Sequence, residues 1–142
     1  MFSALRRFNL SVIMSGLMLI ISSGCSPVTR PIMATLTDGV IQLSRNTATA
    51  GNTPFEIINK TGGNLKHEFV IIKTDLPFDQ FPKNADGTVD EEKLTSSGEQ
   101  GDIEPGQTVY LTVNLHPGHY VMMCNLPGHF AMGMHTEFTV SQ

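Results

Sequence analysis

The sequence predicts an all-β fold, a sandwich of about seven to eight short strands, and three observations support this prediction. Short runs of apolar and β-branched residues recur along the chain. Turn dipeptides such as Asp38-Gly39 and Pro117-Gly118 separate these runs. No long segment repeats apolar residues with the period of an α-helix. Short strands separated by turns in one small domain are typical of a two-sheet sandwich.

Seven strands can be placed from this pattern. They cover residues 32–37, 40–44, 53–59, 67–72, 108–115, 119–123 and 135–140. Residues 74–106 lie between the fourth and fifth of these strands and predict one long acidic insertion loop, because residues 75–104 hold nine acidic residues and only two lysines. A loop of this length is uncommon in a compact domain, so it is a distinctive feature of the chain.

Length and charge restrict the class of protein. The chain has 142 residues, 40% of them apolar, with a formal charge of −4, which fits one small domain. Nucleic-acid binding depends on Lys and Arg side chains that neutralise phosphates, and the chain has no basic cluster beyond Arg6-Arg7. We therefore expect no nucleic-acid partner, and we expect a monomer.

The N-terminal residues have the features of an export signal. Arg6 and Arg7 precede a largely apolar run over residues 12–21, which is too short to span a bilayer. Small residues then lead to Cys25, an ending that resembles the lipobox of bacterial lipoproteins. The sequence predicts a lipoprotein-type signal peptide over 1–24, a tether over 25–31 and one domain over 32–142. We expect the domain on the periplasmic or cell-surface side of a bacterial membrane, attached through lipidated Cys25; plain secretion is the alternative.

The candidate functional residues lie near the C-terminus. Cys124, His129 and Met134 follow one another as Cys-x4-His-x4-Met between two predicted strands, and His67 opens an earlier strand. One thiolate, two imidazoles and a weak thioether form the ligand set of a trigonal copper site with a long axial bond. The pattern therefore predicts one mononuclear copper site with the ligands His67, Cys124, His129 and Met134.

At these residues the sequence resembles the cupredoxin, or type 1 blue copper, family, which includes plastocyanin, azurin, auracyanin and sulfocyanin. The similar segments are Asn64-Leu-Lys-His67-Glu-Phe, Pro105-Gly106, His116-Pro-Gly-His-Tyr120 and Cys124-Asn-Leu-Pro-Gly-His129. The resemblance implies a Greek-key β-sandwich with copper at one end, which alternates between Cu(I) and Cu(II) and passes single electrons.

The resemblance also implies a role for each ligand. By position, His67 matches the upstream histidine, Cys124 the thiolate, His129 the loop histidine and Met134 the axial thioether, with Met132 as a rival axial ligand. Azurin and plastocyanin carry Asn where this chain has Glu68. We expect a hydrogen bond between the Glu68 carboxylate and the Asn125 backbone to replace the one that Asn makes.

Other copper and cysteine chemistries do not fit. A binuclear copper centre needs two thiolates in its loop, and multicopper oxidases have histidines beside the Cys, whereas Cys124 lies between Met123 and Asn125. Nucleophilic Cys-His catalysis is a weaker rival, because a thiolate bound to copper is not free to attack. A zinc site is chemically possible with Cys and two His, but the axial Met has no role at zinc. We therefore expect an electron carrier rather than an enzyme, with redox partners docking at an apolar patch around His129.

Two further functions stay open. The first is a copper-sequestering or copper-delivery lipoprotein, which would use surplus thioethers and histidines. The second is a structural cupredoxin-like domain that binds no metal. The surplus residues are His116, His119, His135, Met122, Met123 and Met132. We expect the three surplus histidines not to join the copper site, with His116 and His119 at a distant turn and His135 pointing outward from its strand.

Overall fold

The computed structural model of the protein describes residues 30–142. The predicted signal peptide and Cys25, with most of the predicted tether, lie outside the described residues. Within residues 30–142, none of the helical segments is long and apolar enough to cross a lipid bilayer.

Residues 30–142 form nine strands and two short 3-10 turns. The strands are β1 Ile32–Thr37, β2 Val40–Leu43, β3 Thr47–Thr49, β4 Gly51–Asn59, β5 His67–Lys73, β6 Thr95–Ile103, β7 Thr108–Leu115, β8 Gly118–Met123 and β9 His135–Ser141; the turns are Phe78–Gln80 and Glu91–Lys93. One sheet has the order β2-β1-β4-β7 and the other β3-β9-β8-β5-β6. β1 pairs with β4, and β3 with β9, in parallel, and the remaining pairs are antiparallel. The predicted β-sandwich is confirmed.

The two sheets pack because each presents one apolar face. Alternate residues of β1 and β4 are buried, as the period of two of a strand requires. The rings of Phe55 and Phe69 lie 5.5 Å apart, and those of Phe55 and Phe138 lie 6.1 Å apart, so aromatic contacts join the two sheets at the centre.

Two strands, β3 and β6, are not among those predicted from the sequence, and the predicted loop is wrong over residues 95–103. β6 is an edge strand of polar residues with bulges in its pairing to β5, so it lacks the alternating apolar pattern that identifies other strands. Gly98 of this strand lies close to β7: a Cβ there would be 2.9 Å from Cγ2 of Val113. β3 is only three residues long and too short to show a period.

Residues 74–94, which we call the insertion segment, cover the outer face of the five-stranded sheet. They enclose a second apolar cluster, the outer cluster, whose buried members are Val70, Ile72, Phe81, Val89, Val121, Met123 and Phe130. Phe81 stacks on Phe130 with ring centroids 5.5 Å apart. Both faces of this sheet are therefore packed, which explains the nearly continuous burial of β5 and β8.

Candidate metal centre

Three donor side chains meet at one end of the sandwich. His67 is the first residue of β5, and Cys124 follows directly after β8. These strands are antiparallel neighbours, so the start of β5 lies beside the end of β8. The loop over residues 124–134, which we call the ligand loop, returns His129 to the same point. The donor atoms of His67, Cys124 and His129 all lie within 4.8 Å of one another, and all three residues are buried.

The distances between these donors suit a first-row metal ion. Sγ of Cys124 is 3.2 Å from Nδ1 of His129 and 3.8 Å from Nδ1 of His67, and the two Nδ1 atoms are 3.2 Å apart. With metal–nitrogen bonds of about 2.0 Å and a metal–sulfur bond of about 2.3 Å, as at zinc, a trigonal site would separate the nitrogens by about 3.5 Å and each nitrogen from sulfur by about 3.7 Å. The site thus needs shifts of at most about 0.5 Å to accept the ion.

The ligand loop is held closed by its own backbone. The Cys124 N–H donates to the Met134 carbonyl at 3.0 Å, and the Met134 N–H donates to the His129 carbonyl at 3.1 Å. Gly133 has φ of 105°, a left-handed conformation that favours glycine. A Cβ at Gly133 would also lie 3.3 Å from the carbonyl oxygen of Gly39. The turn between β1 and β2 therefore supports this loop from outside.

Burial sets the protonation of the donors. It raises the pKa of the Cys124 thiol, an effect that the backbone N–H groups of Glu68 and Leu126 partly offset. It lowers the pKa of His67, and the neighbouring His129 lowers that pKa further against the opposing charge of Asp38. In the metal-free site, burial thus favours the protonated thiol of Cys124 and the neutral imidazole of His67. Metal binding must therefore release the thiol proton, as thiolate ligation requires.

A second group of residues orients His67. Nε2 of His67 lies 2.8 Å from Oγ1 of Thr61, which leaves Nδ1 to face the other donors. The buried Asn59 amide donates to the carbonyls of Leu65 and Ile103, both at 2.9 Å, and accepts from the Thr61 N–H at 3.0 Å. These bonds fix the segment that leads into His67, and a ligating histidine usually has such an outer partner.

The expected contact of Glu68 is confirmed. Its carboxylate accepts the Asn125 N–H at 2.7 Å, and its own N–H points at Sγ of Cys124 at 3.4 Å. Burial raises the pKa of Glu68, while the bond from Asn125 lowers it in part. Glu68 of β5 thus contacts both the sulfur of Cys124 and the next residue, Asn125.

The two methionines considered for the axial position have different environments. Met134 is fully buried and its backbone bonds to both Cys124 and His129, whereas the Met132 residue is 57% exposed. Only Met134 therefore lies among the buried residues of the core.

The surplus histidines lie away from the three donors. His116 and His119 are exposed beside the turn that begins β8, at the other end of that strand from Cys124. His135 does point to the outer face of its sheet, but that face is not open. Its ring packs 3.9 Å from the Phe78 centroid and 4.7 Å from the Phe130 centroid, and its buried Nδ1 has no hydrogen-bond partner among the described residues. The insertion segment, through Phe78, and the ligand loop, through Phe130, provide this cover.

Several residues that support the site are not among the candidates predicted from the sequence. Thr61 gave no signal, because a hydroxyl six residues before a histidine has no distinctive pattern. Asn59 did give one, since it is a polar residue at a buried position of an alternating strand, where an unpaired amide is costly. The contacts of Asn125 with the insertion segment depend on long-range packing that no local pattern reveals.

Comparisons with known proteins agree with this geometry. The profile of the family described as "copper binding proteins, plastocyanin/azurin family" matches residues 40–141. The chain belongs to this plastocyanin/azurin family. The cofactor of this cupredoxin is copper, which its His, Cys and His donors fit, and copper supplies reversible one-electron chemistry there. A search of curated protein sequences found no match.

The cupredoxin fold is also similar to solved structures. Reduced auracyanin from the photosynthetic bacterium Roseiflexus castenholzii has a TM-score of 0.58 at 18% identity, over 78% of this chain and 95% of that chain. Rusticyanin from Thiobacillus ferrooxidans has a TM-score of 0.59 at 19% identity, over 82% and 79%. Auracyanin B has a TM-score of 0.55 at 18% identity, over 80% and 88%. At these identities the likeness concerns the fold.

Proposed function

We propose that this cupredoxin is a one-electron carrier with a type 1 copper site, tethered on the outer side of a bacterial membrane. The observation that carries the proposal is the meeting of three buried donors, His67, Cys124 and His129, at spacings that fit one metal ion. Met134 is the axial ligand in this proposal, supported by its burial and by its backbone bonds to two of the other ligands.

Burial favours electron transfer over copper delivery. His67, Cys124 and Met134 have no exposed surface and His129 is only 8% exposed, so an acceptor protein can reach very little ligand surface at which to exchange the metal. Met122 and Met123, counted above as surplus thioethers, are fully buried as well. A packed and hydrogen-bonded ligand set instead keeps its positions in both oxidation states. A metal-held thiolate is also not free to act as a nucleophile, so the proposal includes no catalysis.

The surface above His129 is the proposed docking face for redox partners. Pro127, Gly128, Ala131 and Met132 are exposed around the histidine and carry no charge. Phe130, the residue after His129, is buried against Phe81 and is not part of this exposed patch. A small uncharged patch over a metal ligand suits brief encounters with partner proteins.

The position of Arg30 is compatible with a tether at Cys25. Arg30 lies before β1, where its carbonyl accepts a hydrogen bond from the Arg45 side chain at 2.9 Å. β1 has six residues, which span about 20 Å, and its far end is the turn that supports the ligand loop at Gly133. The start of β1, where a tether from Cys25 would join the domain, is therefore far from the proposed docking face, so an anchor there is compatible with access of partner proteins to that face.

Electron exchange is the direct test of function. The copper-loaded full-length protein should be reduced and reoxidised repeatedly by soluble one-electron reagents, with copper retained. The Ala131→Glu variant should keep the wild-type spectrum and exchange electrons more slowly with partner proteins. Thr112, exposed on β7, provides the control variant Thr112→Glu, which adds the same charge elsewhere. Transfer of copper to a metal-free acceptor faster than electron exchange would favour delivery instead.

Anchoring needs its own test, because it does not depend on the copper site. Wild-type protein should sediment with membranes, and Cys25→Ala should release it or leave the precursor uncleaved. Two acyl chains suffice for stable attachment where one is marginal. A soluble wild-type protein that starts after a residue other than Gly24 would contradict the lipid anchor.

A further inference from the structure

Among the described residues, the hydrogen bonds between the insertion segment and the ligand loop all involve one side chain, that of Asn125, the residue that follows the thiolate. Oδ1 of Asn125 accepts the Val89 N–H at 2.6 Å, and its Nδ2 donates to the Val89 carbonyl at 2.9 Å. The same Nδ2 donates to Oε1 of Glu91 at 2.7 Å. Both amide protons and the amide oxygen are therefore in use, which is nearly the full capacity of this side chain.

This contact imitates a strand pair. The Asn125 amide exchanges two hydrogen bonds with the backbone of one residue, Val89, as a neighbouring strand would. The orientation of the amide is fixed by its partners, because the Val89 N–H needs an oxygen acceptor and the carboxylate of Glu91 needs a donor. Such a pair holds both chain segments in one register.

The segment that provides these partners is itself ordered. Residues 82–90 fold as a small hairpin: the Asp90 N–H donates to the Pro82 carbonyl at 2.8 Å, and the Asn84 N–H donates to the Thr88 carbonyl at 2.8 Å. The Val89 side chain is buried in the outer cluster beside Phe130 of the ligand loop. Asn125 is thus bonded to a segment that has its own backbone hydrogen bonds and a buried side chain.

The backbone of Asn125 is held on its other side by β5. Its N–H donates to the Glu68 carboxylate at 2.7 Å, and the N–H of Glu68 lies 3.4 Å from Sγ of Cys124. Asn125, the residue after the thiolate, is therefore hydrogen-bonded through its backbone to the five-stranded sheet and through its side chain to the insertion segment. Hydrogen bonding around the sulfur of a blue-copper cysteine is one of the features that tune its reduction potential.

We propose that the insertion segment, acting through Glu91 and Val89 on Asn125, is a clamp that positions Cys124 and so sets the copper affinity and reduction potential of the site. Asn125 and Glu91 are positioning residues in this clamp, since they act through the ligand loop and not on the metal. The proposal rests on the copper-carrier function proposed above. It assigns a role to the part of the chain that the sequence marked only as a long acidic loop.

Four variants of the full-length protein test the clamp. Asn125→Ala removes all three bonds, and we expect copper affinity to fall about 10- to 100-fold, the usual effect of losing an outer partner of a ligand, with a shifted potential and an altered charge-transfer spectrum. Glu91→Ala removes one bond and should give smaller changes of the same sign. Glu91→Gln keeps an oxygen acceptor and should restore the wild-type spectrum. Glu92→Ala, at the exposed neighbouring carboxylate, is the matched control and should change none of these properties.

A readout that needs no copper separates positioning from simple folding. Hydrogen exchange of the metal-free protein should show that Asn125→Ala deprotects the Val89 amide about tenfold, while amides in the centre of β5 and β8 keep their protection. Loss of protection throughout the domain would mean that Asn125 acts only on stability, which would overturn the proposal.

The copper affinities and spectra of the variants also test the clamp. Wild-type affinity and spectrum in both Asn125→Ala and Glu91→Ala would refute the clamp. Equal shifts from Glu91→Ala and Glu92→Ala would refute it as well, because they would show a general effect of charge. If Asn125→Ala does not fold, the comparison of Glu91→Ala with Glu91→Gln still decides. A wild-type protein that binds copper without a charge-transfer band would overturn the proposed function and the clamp together, whereas unchanged variants of a coloured protein overturn the clamp alone.

Discussion

The hydroxyl of Thr61 should increase the copper affinity of the protein. If Nδ1 of His67 binds the metal, the proton of its ring must lie on Nε2, which is 2.8 Å from Thr61 Oγ1 in a buried position. Thr61→Val has the same shape and removes only the acceptor. The N–H is then left without a partner, at a cost of about 1–3 kcal/mol.

This cost corresponds to a measurable change in copper affinity. A loss of about 10- to 100-fold, typical for the outer partner of a ligand, is about 1.4–2.7 kcal/mol and lies within the cost of the unpaired N–H. Competition with a chelator of known affinity measures it directly. Thr61→Ser retains the hydroxyl and should stay near wild type. The exposed Thr112→Val is the control for loss of a threonine hydroxyl.

Two results would refute this reasoning. Copper affinity of Thr61→Val within about twofold of wild type would show that the hydrogen bond does not orient His67, because an effect of this size is below half a kcal/mol. An equal loss in Thr61→Ser would mean that the missing methyl group, and not the hydroxyl, matters. In that case packing around Thr61 would be the cause.

Three other predictions concern the axial ligand, the loop before His67, and pH. Met134→Leu should keep copper but shift the reduction potential, while Met132→Leu should not, and a larger shift from Met132→Leu would reverse the axial assignment. Asn59→Asp keeps the shape of the side chain but places an acceptor oxygen against the carbonyls of Leu65 and Ile103. The variant should lower the free energy of unfolding by about 2–5 kcal/mol in denaturant titrations. The control Asn114→Asp, on the exposed face of β7, should change it little. Burial lowers the pKa of His135 in the folded protein below the unfolded value near 6.5. As pH falls below about 6.5, the unfolded chain therefore binds a proton at His135 before the folded protein does. The metal-free protein should lose stability in this range. His135→Phe should reduce this loss, and an identical pH profile in the variant would show that His135 does not contribute.

Most of the fold is predictable from the sequence, because most strands of the sandwich alternate apolar and polar residues with a period of two. β1, with its alternating burial, was predicted with its observed bounds, since one face meets the core and the other meets solvent. β6 could not be predicted, because an edge strand of polar residues is held by its pairing with β5 and by the close approach at Gly98, not by its own pattern. A contact between distant segments leaves no local signal.

The donor set of the site was predictable for a different reason. Copper chemistry requires particular side chains, and three of the four predicted ligands lie on one short loop whose spacing is visible in the sequence. The structure places the three strong donors, His67, Cys124 and His129, together. The supporting bonds of Thr61, Asn59 and Asn125 were not predictable, since each joins residues through turns or through the insertion segment, where side-chain direction depends on the whole fold.

The central claim is that Cys124 thiolate binds one copper ion in a type 1 site. Its most direct test is copper titration of the full-length protein, followed by its optical and EPR spectra and midpoint potential, with Cys124→Ser beside it. We predict one copper per chain, an intense blue or green thiolate-to-copper charge-transfer band and reversible one-electron reduction, with the band absent from Cys124→Ser although that variant stays folded. A colourless copper-loaded wild type, or a band that survives in Cys124→Ser, would contradict the claim.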